Sequence, residues 1–223
     1  ITFTIIFNNL AGINTGTVPP FLFNLAGITV WNYFTACLTG TSNTFGANAG
    51  IFGKVYFPRI IVPISIVISN LLKFGIQFGI FIAFYFLYYF QGAAISLNGL
   101  VVFFPLLIIV MGILGLGLGM FISSLVTKYR DFSHLIGFGV QLLMYVSAVV
   151  YPMALVKEKM PEYAWLVQYN PLAYIIETTR YMLLNVGHIS FWGLGYTFVA
   201  TVLIFLVGVL IFNRTEKSFI DTV

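Results

Sequence analysis

Leu100–Val126 reads LVVFFPLLIIVMGILGLGLGMFISSLV, without one charged side chain. About 20 consecutive apolar residues already cross the hydrocarbon core of a bilayer as a helix. A water-soluble core has no use for a run this long. Ile60–Phe90 and Phe191–Phe212 are comparable. Over 223 residues only 7% are charged and 60% are hydrophobic, and the mean hydropathy is +1.02. The charges fall in short clusters between the apolar runs. The chain is therefore an all-α membrane protein with several spans and little mass outside the bilayer.

Six spans are predicted. Ile1–Ile13 is apolar but too short to cross alone at about 1.5 Å per residue. It reads as the end of a span that begins ahead of Ile1, which is not a Met. Asn14–Pro20 has strong breaker chemistry, and a second span follows at Phe21–Leu38. Thr39–Gly53 turns polar and small, leading into Lys54-Val55-Tyr56-Phe57-Pro58-Arg59. The third span is Ile60–Phe90, with Pro58 and Pro63 suited to first helical turns. Gln91–Asn98 is a loop before the fourth span, Leu100–Val126. Lys128-Tyr129-Arg130-Asp131 punctuates the chain ahead of the fifth, Leu135–Tyr151. Phe191–Phe212 is the sixth. Between the last two, Met153–Ile189 carries Pro161 and Pro171 and reads as short helices, such as Tyr174–Leu184, that re-enter the membrane.

Short loops rich in Lys and Arg stay on the cytoplasmic side. Lys54/Arg59, Lys128/Arg130 and Arg214/Lys217 alternate with loops that lack such residues. The C-terminus is thus expected inside. Lys157, Lys159 and Arg180 on the other side are accompanied by Glu158, Glu162 and Glu177.

Several chemistries find no support. No phosphate loop exists: Gly112, Gly115, Gly117 and Gly119 lie inside a span, and Gly115 and Gly119 make a small-xxx-small pair for helix packing. There is no HExxH spacing, and His134 and His188 stand alone. The single Cys37 gives neither a disulfide framework nor a cysteine metal cluster. A net charge of +4 is dispersed over several loops, which is no nucleic-acid footprint. The Asn213-Arg214-Thr215 sequon falls on the cytoplasmic side.

Lys73 is the one cation deep in an apolar run, roughly 20 Å past Arg59 by helical rise. A charge there faces a cavity or a partner, or snorkels. It reads either as a channel contact for an anionic cargo group or as a structural pair. Glu177 and Arg180, three apart, can form a salt bridge on one helix face. Aromatic residues make up 18% of the chain. Interfacial belts explain many of them, and Trp31, Tyr33, Phe34, Tyr145, Tyr151, Tyr169 and Tyr174 could instead stack against sugar rings along a path.

The run Asn48–Arg59, followed by Ile60-Ile61-Val62-Pro63, resembles the cytoplasmic coupling segment of type-2 ABC exporter permeases for polysaccharides: O-antigen, teichoic acid and capsule chains. Lys128–Asp131, Val150-Tyr151-Pro152 and Tyr169-Asn170-Pro171-Leu172 with Glu177 and Arg180 fit the same family in order and spacing. The resemblance implies a single permease domain over residues 1–223 that pairs with a second copy around a channel. It further implies two copies of a separate cytoplasmic ATPase that hold the ATP and Mg, so this chain carries no cofactor and hydrolyses nothing. Lys54, Val55, Tyr56, Phe57, Pro58 and Arg59 would form a short coupling helix that docks on the ATPase, with Lys128, Tyr129, Arg130 and Asp131 close by. Pro152, Asn170, Pro171, Glu177 and Arg180 would belong to re-entrant outer helices that gate the channel. The implied cargo is a lipid-linked polysaccharide, O-antigen first, leaving through the bacterial inner membrane. Rival readings are an exporter of drugs or another lipid-like cargo, a secondary transporter, and a membrane-embedded glycosyl or acyl transferase. The transferase has only Asp131 with His134 as a candidate pair.

Overall fold

A computed structural model of the chain describes residues 4, 6, 12, 18–52, 57–129 and 131–220, with only the helical backbone given for Ile51 and residues 217–220. The described residues are helical and contain no strand. In order they form α1 (Pro20–Ser42), α2 (Thr44–Phe52), α3 (Ile61–Phe90), a 3₁₀ turn at Gly99–Phe103 and α4 (Phe104–Lys128). Then come α5 (Phe132–Val146), α6 (Met153–Lys159), a 3₁₀ turn at Pro161–Tyr163, α7 (Ala164–Gln168), α8 (Pro171–Leu184) and α9 (Phe191–Ile220).

Among the described residues, four segments are long and apolar enough to cross a bilayer: Pro20–Ser42, Ile61–Phe90, Gly99–Lys128 and Phe191–Glu216. Four of the six expected spans therefore have counterparts here. The first, Ile1–Ile13, lies almost wholly outside the described residues. The expected fifth is shorter than its sequence suggested: α5 has 15 residues, about 22 Å of helix. The backbone breaks at Ser147–Tyr151, where Ala148 takes a positive φ of 53°. Apolar composition carried the expected span through to Tyr151, but tertiary contacts halt the helix at Val146.

The polar, small-residue stretch that follows the expected second span is mostly helix: α1 runs on to Ser42 and α2 covers Thr44–Phe52. Thr39 and Thr41 return their hydroxyls to the carbonyls of Thr35 and Cys37, and Ser42 and Thr44 to those of Thr39 and Thr41. Satisfied in this way, polar side chains extend α1 and build α2 rather than break the chain.

Side-chain contacts fix the register of the bundle. On α3 and α1, Phe84 meets Phe21, Phe74 meets Tyr33 and Asn70 Nδ2 donates to the Ala36 carbonyl, an antiparallel pairing. A Cβ at Gly115 would lie 2.9 Å from Cys37 Cβ, and one at Gly119 would lie 2.9 Å from the Leu38 carbonyl oxygen. On the opposite face of α4, a Cβ at Gly117 would lie 2.7 Å from Phe205 Cα of α9. Lipid tails are as apolar as leucine, so helices in a bilayer adhere through close van der Waals contact rather than the hydrophobic effect. The glycine run supplies that contact on two faces, seating α4 between α1 and α9. Along their most apolar stretches α1 and α4 are 67% and 50% buried, against 11% and 17% for α3 and α9. The first pair forms the core and the second faces outward.

Candidate functional site

The end of the bundle that carries Arg59 is built around phenylalanines. Phe45 of α2 stacks on Phe212 of α9 with centroids 4.6 Å apart, and Phe52 lies edge-on to Phe45 at 6.1 Å. Phe57 packs at 5.8 Å from Phe52. Leu116 and Met120 of α4 complete this cluster. The Arg59 guanidinium lies 5.0 Å from the Phe52 ring centroid. Its Nη1 donates to the Glu216 carbonyl oxygen at 3.3 Å and its Nη2 to the Phe52 carbonyl oxygen at 3.4 Å, while Nε stands 3.9 Å from Glu216 Oε1. Arg59 is thus turned into the protein, tying the segment after α2 to the tail of α9. Pro58 is exposed and Phe57 half-buried. Lys54, Val55 and Tyr56 lie outside the described residues, as does Arg130. Lys128 and Asp131 are exposed, and Lys128 Nζ sits 5.3 Å from the Tyr129 ring centroid. The Asp131–His134 pair is joined only by a helical backbone bond among the bonds seen here, with both side chains exposed.

The opposite end is organised by Arg180. Its side chain is 0% exposed. Nη1 donates to the carbonyls of Ala148 (2.9 Å) and Tyr151 (3.1 Å), and Nη2 donates to that of Val149. The guanidinium carbon lies 3.9 Å from the Phe23 ring centroid. One side chain therefore satisfies the carbonyls freed where α5 ends, which must find partners when buried. Gly27 of α1 makes room: a Cβ there would come within 2.6 Å of both Arg180 Nη2 and the Val149 carbonyl oxygen.

Asn170 works beside this clasp. Its Oδ1 accepts from the Leu172 N–H at 2.9 Å, capping α8, with Pro171 at the first helical position. Its Nδ2 donates to Ser147 Oγ at 3.0 Å. Glu177 Oε2 stands 3.7 Å from Arg180 Nη1. Burial pushes the Glu177 carboxyl up, opposed by the Arg180 charge, and pushes the Arg180 guanidinium down. The expected Glu177–Arg180 pair exists, but the larger part of Arg180's bonding goes to the broken backbone. Pro152 ends that break and precedes α6.

The aromatic candidates divide. Trp31, Tyr33 and Phe34 are buried in the core between helices. Tyr145 and Tyr169 are 50% and 69% exposed. The Tyr151 hydroxyl donates to the Tyr145 carbonyl, and Tyr196 donates to that of Tyr169 at 2.9 Å. Tyr174 is packed against Gly193. Lys73 is exposed on α3, and one turn on, Gln77 Oε1 accepts from Asn32 Nδ2 of α1 at 3.4 Å. Sequence reasoning missed Phe23, Gly27, Ser147 and Glu216. Phe23 and Gly27 looked like ordinary members of an apolar span, and Glu216 like part of a solvated tail.

Comparison with known proteins gives the chain a family. The ABC-2 type transporter family matches residues 1–184. An O-antigen export system permease protein RfbA of Klebsiella pneumoniae is 28% identical over 200 residues, covering 90% of this chain and 74% of the relative. A protein of the same name from Myxococcus xanthus is 21% identical over 159 residues, covering 71% of this chain and 58% of its own length. With the family matched over more than half of its length, this membrane-embedded helical chain belongs to the ABC-2 type transporters.

Proposed function

We propose that this chain is the channel-forming membrane subunit of an ATP-driven exporter that moves a lipid-linked polysaccharide, O-antigen first, outward across the bacterial inner membrane. Family membership and the O-antigen export names of two relatives support the cargo class. The protein acts as a homodimer with two copies of a cytoplasmic ATPase, which bind ATP and Mg; its own residues transmit force and line the path. The C-terminus is cytoplasmic, so the Arg59 end faces the ATPase.

The observation that carries this reading is the knot of Phe45, Phe52, Phe57 and Arg59 against α4 and α9. A push on residues 54–58, with Lys128–Asp131 nearby, passes through that knot into two spans instead of dissipating in a loop. Interiors are close-packed, so displacement propagates as rigid-body movement of whole helices. At the far end the short α5, with its break held by Arg180, supports reading Pro152–Leu184 as the outer gate. Tyr145 and Tyr169 present exposed rings to the glycan, with Tyr151 and Tyr174 behind them. Trp31, Tyr33 and Phe34 act by packing. Lys73 faces the cargo's anionic groups.

The test is purification of the tagged chain in mild detergent, with partner identification and ATP turnover, alongside the Tyr56→Ala/Phe57→Ala variant. A stoichiometric ATPase, lost or uncoupled in the variant, is the expected result. Recovery of the folded chain with no ATPase would overturn the proposal.

A further inference from the structure

At the end of the bundle opposite Arg59, a cavity of about 300 Å³ lies between α4, α8 and α9. Leu107 and Val110 of α4, Ile175 and Met182 of α8, and Leu194 and Thr197 of α9 form its floor. Among the described residues of the lining, Thr197 is the only one with a polar side chain, and its hydroxyl already donates to the Pro171 carbonyl at 3.2 Å. A sugar or peptide entering here would lose its hydrogen bonds to water and gain none. The occupant must be hydrocarbon.

The rim shows where that hydrocarbon comes from. Phe103, Leu106, Phe191 and Phe198 are each more than half exposed and sit on two of the candidate spans. The groove therefore opens sideways, continuous with the surface the bilayer covers. One end is polar: Asn98 Nδ2 donates to Asn185 Oδ1, and Asn185 Nδ2 to Ser96 Oγ, both at 3.2 Å. This cluster abuts the groove, because the Asn98 N–H donates to the carbonyl of Met182 and Asn98 Oδ1 accepts from the N–H of Leu100. Polar at one end and dry along its length, the groove has the polarity profile of a lipid. Neither its lining nor the Ser96–Asn98–Asn185 cluster includes Lys or Arg. Among the described residues, no cation stands there to hold a diphosphate-bearing carrier.

We propose that this groove seats one acyl chain of a bilayer phospholipid, and that the seated chain braces α8. Ile175 and Met182 are seven residues apart and share one stripe of α8, while Glu177 and Arg180 project from the other side. The acyl chain presses on the face opposite the clasp. Without it, a void opens behind α8, and the hold of Arg180 on the α5 break loosens. The proposal does not depend on which cargo the transporter carries.

The test uses the full chain in nanodiscs of phosphatidylethanolamine and phosphatidylglycerol, doped with a phospholipid that bears a diazirine in mid-chain. Photolabelling should concentrate on Leu106–Val110 and Leu194–Phe198, several-fold above the exposed Ile80–Leu87 stretch of α3. Val110→Trp, which fills the groove, should abolish the excess and leave α3 labelling unchanged; Leu194→Trp serves if that variant does not fold. Hydrogen exchange of α8 amides should quicken on delipidation and slow when long-chain phospholipid is returned, in the wild type but not in the filled variant. Uniform labelling, labelling indifferent to the tryptophan, or displacement by a polyprenyl diphosphate at lower concentration than by phospholipid would overturn the acyl-chain seat. Unchanged α8 exchange would overturn the brace.

Discussion

Replacing Arg180 by leucine removes the group on which the outer end depends. Leucine fills much of the volume but leaves the carbonyls of Ala148, Val149 and Tyr151 without their donor and Glu177 without its counter-ion. Breaking a buried ion pair from one side costs about 3–5 kcal/mol. Each buried carbonyl left unsatisfied costs about 1–3 kcal/mol. Water reaching a relaxed loop recovers part of the second amount, and protonation of Glu177 part of the first. A net loss of about 4 kcal/mol follows. For a chain of this size, about 2–4 °C of melting temperature goes with each kcal/mol, so the midpoint should fall by roughly 10 °C. The assay is heating of the detergent-solubilised chain followed by fluorescence size exclusion. The double variant Arg180→Leu/Glu177→Leu should recover part of the loss, because no uncompensated charge remains. A single variant that melts with the wild type, or a double variant no better than the single, would refute the clasp.

Three further outcomes follow from the same geometry. Arg59→Glu should uncouple ATP turnover from export and cost about 3–5 kcal/mol of stability, because a buried carboxylate would face Glu216 and the Phe52 carbonyl. Glu216→Arg placed with it should restore coupling, and a pair of variants that fail additively would show that the contact transmits nothing. Gly117→Leu drives a side chain into the backbone of α9 at Phe205; overpacking of about 1–3 kcal/mol or more should appear as low yield and early melting, while Gly79→Leu, which meets no neighbour, should behave as wild type. Lys73→Gln should leave melting unchanged, since the side chain is exposed, and lower export; normal export would remove Lys73 from the path.

Class, approximate span positions and loop punctuation were legible in the chain because they depend on one-dimensional quantities: length of apolar run, glycine spacing and placement of charge. The glycines of α4 were readable as packing residues for the same reason, since a small-xxx-small spacing is a property of one helix. The end of α5 was not readable. Pro152 accounts for a helix that ends by Tyr151 but not for one that ends at Val146, and the earlier break is stabilised by a guanidinium 29 to 32 residues further along. Arg59 misled in the opposite sense, because a cation next to a predicted cytoplasmic segment reads as a surface charge until Glu216 and Phe52 are brought to it. The aromatic residues also needed coordinates. Trp31 and Tyr145 look alike in a hydropathy profile, yet one is buried between helices and the other half exposed.

By itself, the sequence determined that the chain lives in a bilayer, where its helices run and which family pattern it carries. These follow from the cost of placing backbone and charge in hydrocarbon, a cost paid residue by residue and therefore written residue by residue. Tertiary structure decided which helices form the core, where α5 stops and which way Arg59 and Arg180 turn. Those depend on contacts between residues far apart in the chain, and a buried charge is stable only where folding has already gathered its partners.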